Sequence, residues 1–340
     1  MRLAHFRAEA DRSEQRAEQP RVGALVDHAE LVDLGAAISY LRGAAKPLEA
    51  GWPRAERLRE RLGAVQAVDD VVADPDLLAA AEDIVAYFSL HIDRDHPAFL
   101  DRGSVALVSP LAQPGNVFVA CDRRSLTGAA GEAEAQPGPF PCGYFKLPSS
   151  IAGPESAVRP ALHSSELEVA AYPAAVIGRR ASGVEPQDAL SCVAGYLMVI
   201  DLIAADVHAT EQALMRTSLG VNWPGSAILG PELLTSASGF DPDHAETRLS
   251  VDQSVVRTSR PEDSIYSMAE LIAHWSLVGL EPLDMVAGGR LIRSPSPSKP
   301  TALPVEAGSV IRAETTGIGA VEIMVSASTT ALPSPGGEAE

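Results

Sequence analysis

The chain has 340 residues, 46% of them apolar, which is enough for one large domain with a substantial core and a small one beside it. A formal net charge of −18 repels phosphate backbones and anionic lipid surfaces, so the electrostatic footprint of a nucleic-acid or membrane-surface binder is absent. Three cysteines, Cys121, Cys142 and Cys192, give neither a closed disulfide framework nor C-x-x-C spacing and read as incidental thiols.

The first residues, MRLAHFRAEADRSEQR, are charged and lack the apolar stretch of a leader. The longest apolar run, Cys192 to Ile200, is about half a membrane span. A cytoplasmic protein without a membrane partner is the expectation. Short alternating runs predict strands at Arg2 to Phe6, Arg21 to Val26 and Glu30 to Asp33, followed by a helical segment from Leu34 to Leu41. Leu77, Leu78, Ala81, Ile84, Val85 and Phe88 fall at helical spacing, and Asp74 with Pro75 supplies an N-cap and a first-turn proline.

From Gly103 onward, short apolar runs broken by Gly and Pro predict strands at Val105 to Val108, Val117 to Ala120, Glu166 to Tyr172, Leu197 to Ile203, Arg248 to Val256 and Val310 to Val325. Pro173 is expected to interrupt the stretch from Glu168 to Val176. Many strands with few helices give an α+β class with a β-rich main domain. Residues Arg123 to Pro141 read as a mobile loop, Ser294 to Pro304 as a Pro- and Ser-rich break, and Ala331 to Glu340 as a frayed tail. The expected division is a small N-terminal domain (1–75), a connecting helix and linker (76–110), the main domain (111–330) and the tail (331–340).

Two chemical features stand out near the middle of the chain and beyond it. Glu166 and Glu168, one residue apart on a strand, place two carboxylates on one face, where they repel unless neutralised. An arbitrary pair of this kind is more often a solvated strand edge. Asp201 interrupts the apolar run Cys192 to Ala205, and a lone carboxylate there is costly to bury without a partner or a cation.

The pieces PGNVFVA (Pro114 to Ala120), YFKLPSSIAGP (Tyr144 to Pro154), SELEVAAYPAAVIG (Ser165 to Gly178), GYLMVIDLIAAD (Gly195 to Asp206), LGP (Leu229 to Pro231), DSIYSMAELIAHWS (Asp263 to Ser276) and EPLDMVAGG (Glu281 to Gly289) follow one another in an order that resembles the fumarylacetoacetate hydrolase family. The opening MRLAHFR with RVGALVDHAELVDL resembles the small N-terminal unit that many members carry. The resemblance implies the family's β-rich C-terminal fold, a mixed sandwich roll, with a small N-terminal α/β unit. It also implies a homodimer and a small oxo-acid or dicarbonyl substrate.

Glu166, Glu168 and Asp201 fall on the positions that hold a divalent cation in the family, and three carboxylates without a thiolate suit Mg²⁺ or Mn²⁺. Asp206 matches a second family carboxylate, but the usual preceding Arg is Ala205. The His and Glu that members place in the first part of this domain to activate water are missing: CDRRSLTGAAGEA offers Asp122, Glu132 and Glu134 without an imidazole. His208, where members often have Gln, is the nearest substitute, against a reading as an ordinary hydrogen-bonded histidine. The lysine usual before the LGP piece is missing too, with Val221, Asn222, Trp223 and Pro224 there instead. Trp223 lines a pocket or simply packs. The family's T-G-T-P-like turn reads G-G-R-L, placing Arg290 where it could hold an acidic substrate or form a surface ion pair.

The resemblance therefore implies a metal-dependent enzyme acting on a C–C bond beside a carbonyl, as hydrolase, decarboxylase or isomerase. Two alternatives stay open: a repurposed scaffold performing a cyclisation or condensation without a functional metal, and a non-catalytic homologue.

Overall fold

The computed structural model describes residues 1–8, 19–27, 29–43, 59–121, 140–156, 158, 159, 161, 164, 166–214, 218–259, 266–288, 305 and 307–326. Arg290, the carboxylates Asp122, Glu132 and Glu134, the break at 294–304 and the tail at 331–340 lie outside them.

The N-terminal strands form as the alternation predicts: β1 (Arg2–Ala8), β2 (Arg21–Leu25) and β3 (Glu30–Asp33), leading into helix α1 (Leu34–Gly43). After the short helices α2 (Arg59–Leu62) and α3 (Val68–Val72) comes α4 (Pro75–His91), capped by the Asp74 carboxylate, which accepts from the Asp76 and Leu77 amides. Strands β4 (Phe99–Asp101), β5 (Val105–Val108), β6 (Val117–Cys121), β7 (Cys142–Lys146), β8 (Ile151–Ala152) and β9 (Leu167–Ile177) follow. Next are α5 (Pro186–Ala189), β10 (Val193–Ala204), α6 (Ala205–Ala213), β11 (Ala227–Leu229) and β12 (Leu233–Thr235). The chain continues through β13 (Thr247–Val251), β14 (Ser254–Ser259), α7 (Met268–Trp275), β15 (Met285–Ala287), β16 (Val310–Thr315) and β17 (Gly319–Met324).

The described strands make two open sheets. The larger runs β4-β3-β2-β1-β12-β10-β9-β15-β6-β7, with β5 on β1 and β11 bridging β10 to β8; the smaller runs β14-β13-β16-β17. The N-terminal strands thus share a sheet with the long central pair, because β12 hydrogen-bonds to both β1 and β10. One apolar core lies between the large sheet and helices α1, α3 and α4; the other lies between the large sheet and the small one. Along β9, Ala170, Tyr172, Ala174 and Val176 enter the first core while Val169, Ala171, Ala175 and Ile177 enter the second. Burial on both faces explains the near-continuous apolar runs of β9 and β10.

Pro173 does not interrupt β9. It pairs with Met198 across from β10, and its carbonyl accepts from Gly288 on the β15 side. In an antiparallel strand a residue's N–H and C=O point the same way, so the missing donor faces the end of β15, where pairing stops at Ala174, and no bond to β10 is lost. The predicted single runs at 248–256 and 310–325 are hairpins. Asp252 and Gln253 take φ values of 49° and 68° between β13 and β14, and Gly317 takes 88° between β16 and β17, with 126° at Gly319, the first residue of β17. No helix among the described residues is long and apolar enough to cross a membrane.

Candidate functional site

The central antiparallel pair sets the site. In the β9–β10 register Glu168 lies opposite Ile203 and Ala170 opposite Asp201, so Glu168 and Asp201 stand diagonally on one face of the sheet. Asp201 is fully buried, in the middle of a twelve-residue strand buried along its whole length. Its carboxylate meets two partners from β7. Lys146 Nζ lies 2.6 Å from Oδ1, and the Tyr144 hydroxyl donates to Oδ2. Alternation puts Tyr144 and Lys146 on the same face of β7.

Lys146 is itself wholly buried and held by more than its counter-ion. Nζ donates to the carbonyls of Leu202 (2.8 Å), Val221 (2.6 Å) and Ser226 (3.1 Å), and it lies 5.6 Å from the centre of the Trp223 ring. Asn222 fixes the strand on either side of the lysine: its Oδ1 accepts from the Leu147 amide and its Nδ2 donates to the Phe145 carbonyl. Gly143 admits the close approach of β6, since a Cβ there would sit 2.0 Å from the Val119 carbonyl oxygen.

Glu168 is tied to the second sheet. Arg257 of β14 donates from Nη2 to Glu168 Oε1 at 3.1 Å and from Nη1 to the Val169 carbonyl at 3.1 Å. Burial raises the Glu168 carboxyl above its usual range; Arg257 pulls it back, and the charge of Asp201 adds to the rise.

His208 sits on the first turns of α6, half-buried, with its ring edge-on to Tyr144 at 6.0 Å between centres. Desolvation lowers its pKa, Glu211 and Asp201 oppose that, and Lys146 adds to it, so the imidazole is held neutral at pH 7. Glu211 accepts the amides of Ser218, Leu219 and Gly220. Burial raises the Glu211 carboxyl, but those three donors and His208 outweigh it and lower it overall. The loop so anchored lies hard against α6: a Cβ at Gly220 would come within 2.6 Å of His208 Cα.

Of the residues singled out in the sequence, the fold brings Glu168, Asp201 and His208 into one neighbourhood. Glu166 is exposed, and its carbonyl accepts from Ala205. Asp206 accepts from Ser164 Oγ and from the Val207 amide, fastening the start of α6 to the segment that enters β9. Trp223 packs: it is buried and donates Nε1 to the Arg159 carbonyl at 3.1 Å. Arg290 lies outside the described residues. Sequence reasoning missed Lys146, Tyr144 and Arg257. The available signal was a lysine on an alternating Tyr-Phe-Lys run in a chain that has only three lysines.

The donor chemistry suits a hard divalent ion in that Asp201 and Glu168 offer oxygen only, although each already faces a cation of the protein, Lys146 and Arg257. They do not form a finished cage. Among the described residues no group of three or more His, Cys, Asp or Glu side chains is gathered tightly enough to hold a metal. A groove between α4 and the far ends of β9 and β10, lined by Val72, Leu78, Glu82, Arg179, Cys192 and Ser236, shares no residue with this site.

Comparison with known proteins agrees with this architecture. The fumarylacetoacetate (FAA) hydrolase C-terminal family model matches residues 118–326. A Xenopus laevis protein named oxaloacetate tautomerase fahd2, mitochondrial, is 27% identical over 223 residues, covering 65% of this chain and 69% of that protein. A protein of Pyrococcus abyssi is 29% identical over 200 residues, covering 57% of this chain and 83% of its own. Among solved structures, maleylpyruvate hydrolase from Sphingobium sp. SYK-6 superposes with a TM-score of 0.65 at 21% identity, covering 96% of this chain and 99% of that one. The same enzyme in complex with manganese(II) and pyruvate gives 0.64 at 21% identity over 96% and 99%. At this identity the structural likeness carries the fold.

Proposed function

The chain belongs to the fumarylacetoacetate hydrolase family, and from that premise we propose that it is a divalent-metal-dependent enzyme acting beside a carbonyl of a 2-oxo acid or 1,3-dicarbonyl compound. The observation that carries this reading is the buried Asp201 on one sheet face with Glu168, two oxygen donors whose charges repel each other across adjacent strands. Glu168 and Asp201, with Glu166 as third ligand, would hold Mg²⁺ or Mn²⁺. When bound, such an ion would supply a Lewis acid for two substrate oxygens and lower the cost of an enolate.

The protein's own groups do the rest. Lys146 and Tyr144 each face one oxygen of Asp201 and hold its side chain in place in an apolar sheet. His208, half-buried beside Tyr144 with Gly220 packed close against its Cα, would accept a proton from carbon or from water and return it. Asp206 acts as a positioning residue by holding the first turn of α6 against Ser164. Isomerisation or decarboxylation asks only for enolate stabilisation and one proton carrier, so these rank ahead of hydrolysis, which also needs an activated water. The names of the relatives, a tautomerase of oxaloacetate and a hydrolase of maleylpyruvate, support a small oxo-acid substrate.

The test is turnover of oxaloacetate and a series of acylpyruvates by chelator-stripped protein, before and after adding Mg²⁺ or Mn²⁺. Turnover that returns with the ion supports the reading. Activity on none of them, or activity indifferent to the ion, overturns it.

A further inference from the structure

Residue spacing alone gives the three cysteines no pairing, but the sheet register does. Cys121, the last residue of β6, stands opposite Cys142, the first residue of β7, in an antiparallel pairing that continues through Ala120 and Gly143, Val119 and Tyr144, Phe118 and Phe145, and Val117 and Lys146 without a shift. Opposed residues of an antiparallel pair share a face of the sheet and have Cα atoms about 4.5–5.5 Å apart, inside the range of about 4.4–6.8 Å that a disulfide bridges. Cys142 is a free thiol and partly exposed, so a small oxidant can reach it. Cys192 is buried and belongs to neither strand: it immediately precedes β10, with Arg179 Nη2 at 4.0 Å from its Sγ.

We propose that Cys121 and Cys142 form a redox modification site, at which a hydroperoxide joins the two thiols reversibly into a cross-strand disulfide that staples β7 to β6. One thiolate attacks a peroxide oxygen, the O–O bond breaks, and the products are a sulfenic acid and a water or alcohol. The second thiol then displaces the sulfenic hydroxyl as water and the S–S bond forms. The two thiols lose two electrons and the peroxide gains them; a dithiol reverses the step by exchange. The bond bears on the candidate site through β7. Among the described residues β7 is the edge of the larger sheet and pairs only with β6. Cys142, Tyr144 and Lys146 occupy alternate positions on it, and the latter two hold Asp201. Asn222 already ties down the far end of the strand through the Phe145 carbonyl and the Leu147 amide, and the disulfide fixes the near end. It also closes residues 122–141 into a covalent ring, which restricts the unfolded chain.

The experiment treats the folded full chain with a slight excess of hydrogen peroxide, blocks the remaining thiols with iodoacetamide in urea, and reads the digest by mass spectrometry. A peptide pair joining Cys121 to Cys142, lighter by two hydrogens than its reduced parts, is expected, with Cys192 recovered alkylated. Dithiothreitol should release the pair. The linked protein should melt about 5 °C above the reduced one, since the ring constrains the unfolded state. Cys121→Ser and Cys142→Ser should each abolish the link and the rise in melting, and Cys192→Ser should keep both. Because the link and its melting are read on the parent chain, a serine variant that fails to fold leaves the test intact. Thiols that all survive the peroxide, oxidised cysteines that are not joined, a link that involves Cys192 or a second chain, or a linked form that melts no higher than the reduced one each overturns the inference.

Discussion

Replacing Lys146 by methionine removes one partner of a wholly buried ion pair while keeping a side chain of similar length against Trp223. Asp201 is then left in the sheet with Tyr144 alone, and the carbonyls of Leu202, Val221 and Ser226 lose a donor. Breaking a buried pair from one side costs about 3–5 kcal/mol, because the remaining charge stays desolvated. Carbonyls that keep other partners add little. At roughly 2–4 °C per kcal/mol for a chain somewhat smaller than this one, melting should fall by about 10 °C, as followed by circular dichroism or calorimetry. Lys146→Met combined with Asp201→Asn removes the stranded charge and should recover about 2 kcal/mol or more relative to the single variant. A Lys146→Met protein that melts within about 2 °C of the parent, or a double variant no more stable than the single, would refute the account of Lys146 as the counter-charge of Asp201.

Gly143→Ala should cost about 1–3 kcal/mol in denaturant unfolding, since the new methyl meets the Val119 carbonyl and must part β6 from β7; a midpoint unchanged from the parent contradicts that packing. Gly220→Ala drives a methyl against His208 Cα and should lower turnover more than it lowers stability, because it displaces the proposed proton carrier; equal turnover would remove His208 from that role. His208 also sets a pH dependence. Its pKa in the folded protein lies below the ordinary 6.5, so the unfolded chain binds the proton more readily. Stability should therefore decline as pH falls from about 6.5 through the lowered value and level off beneath it. In His208→Gln the urea midpoint should fall less over that window, and identical pH profiles for the two proteins would contradict the desolvated imidazole.

Much of the fold was legible because its strands obey simple periodicities. The alternating runs at residues 2–6, 21–26 and 30–33 are β1, β2 and β3, and the helical spacing from Leu77 to Phe88 with the Asp74 cap is α4. Pro173 misled for a local reason, since only the direction of its absent N–H decides whether a strand survives it. At the site, Asp201 was visible as a carboxylate in an apolar run, whereas its partners were not. Lys146 reaches it from a strand whose Nζ also bonds a carbonyl 75 residues later in the chain, and Arg257 reaches Glu168 across 89 residues from a different sheet. Such pairings depend on how two layers stack, and neither residue spacing nor composition encodes that. Glu166 and Glu168 share the period of a strand, but β9 begins at Leu167, so the two carboxylates differ in exposure and only the second is drawn into the packed face.

The central claim is that Glu168 and Asp201 form the floor of a divalent-ion site, and the most direct test is a crystal of the protein grown with Mn²⁺ and oxalate, with diffraction recorded on either side of the manganese absorption edge. The account predicts one anomalous peak bridging the Glu168 and Asp201 carboxylates, with Lys146 and Arg257 still in place behind them. An anomalous map without a peak there, with both carboxylates bound only to their resident cations, would contradict it.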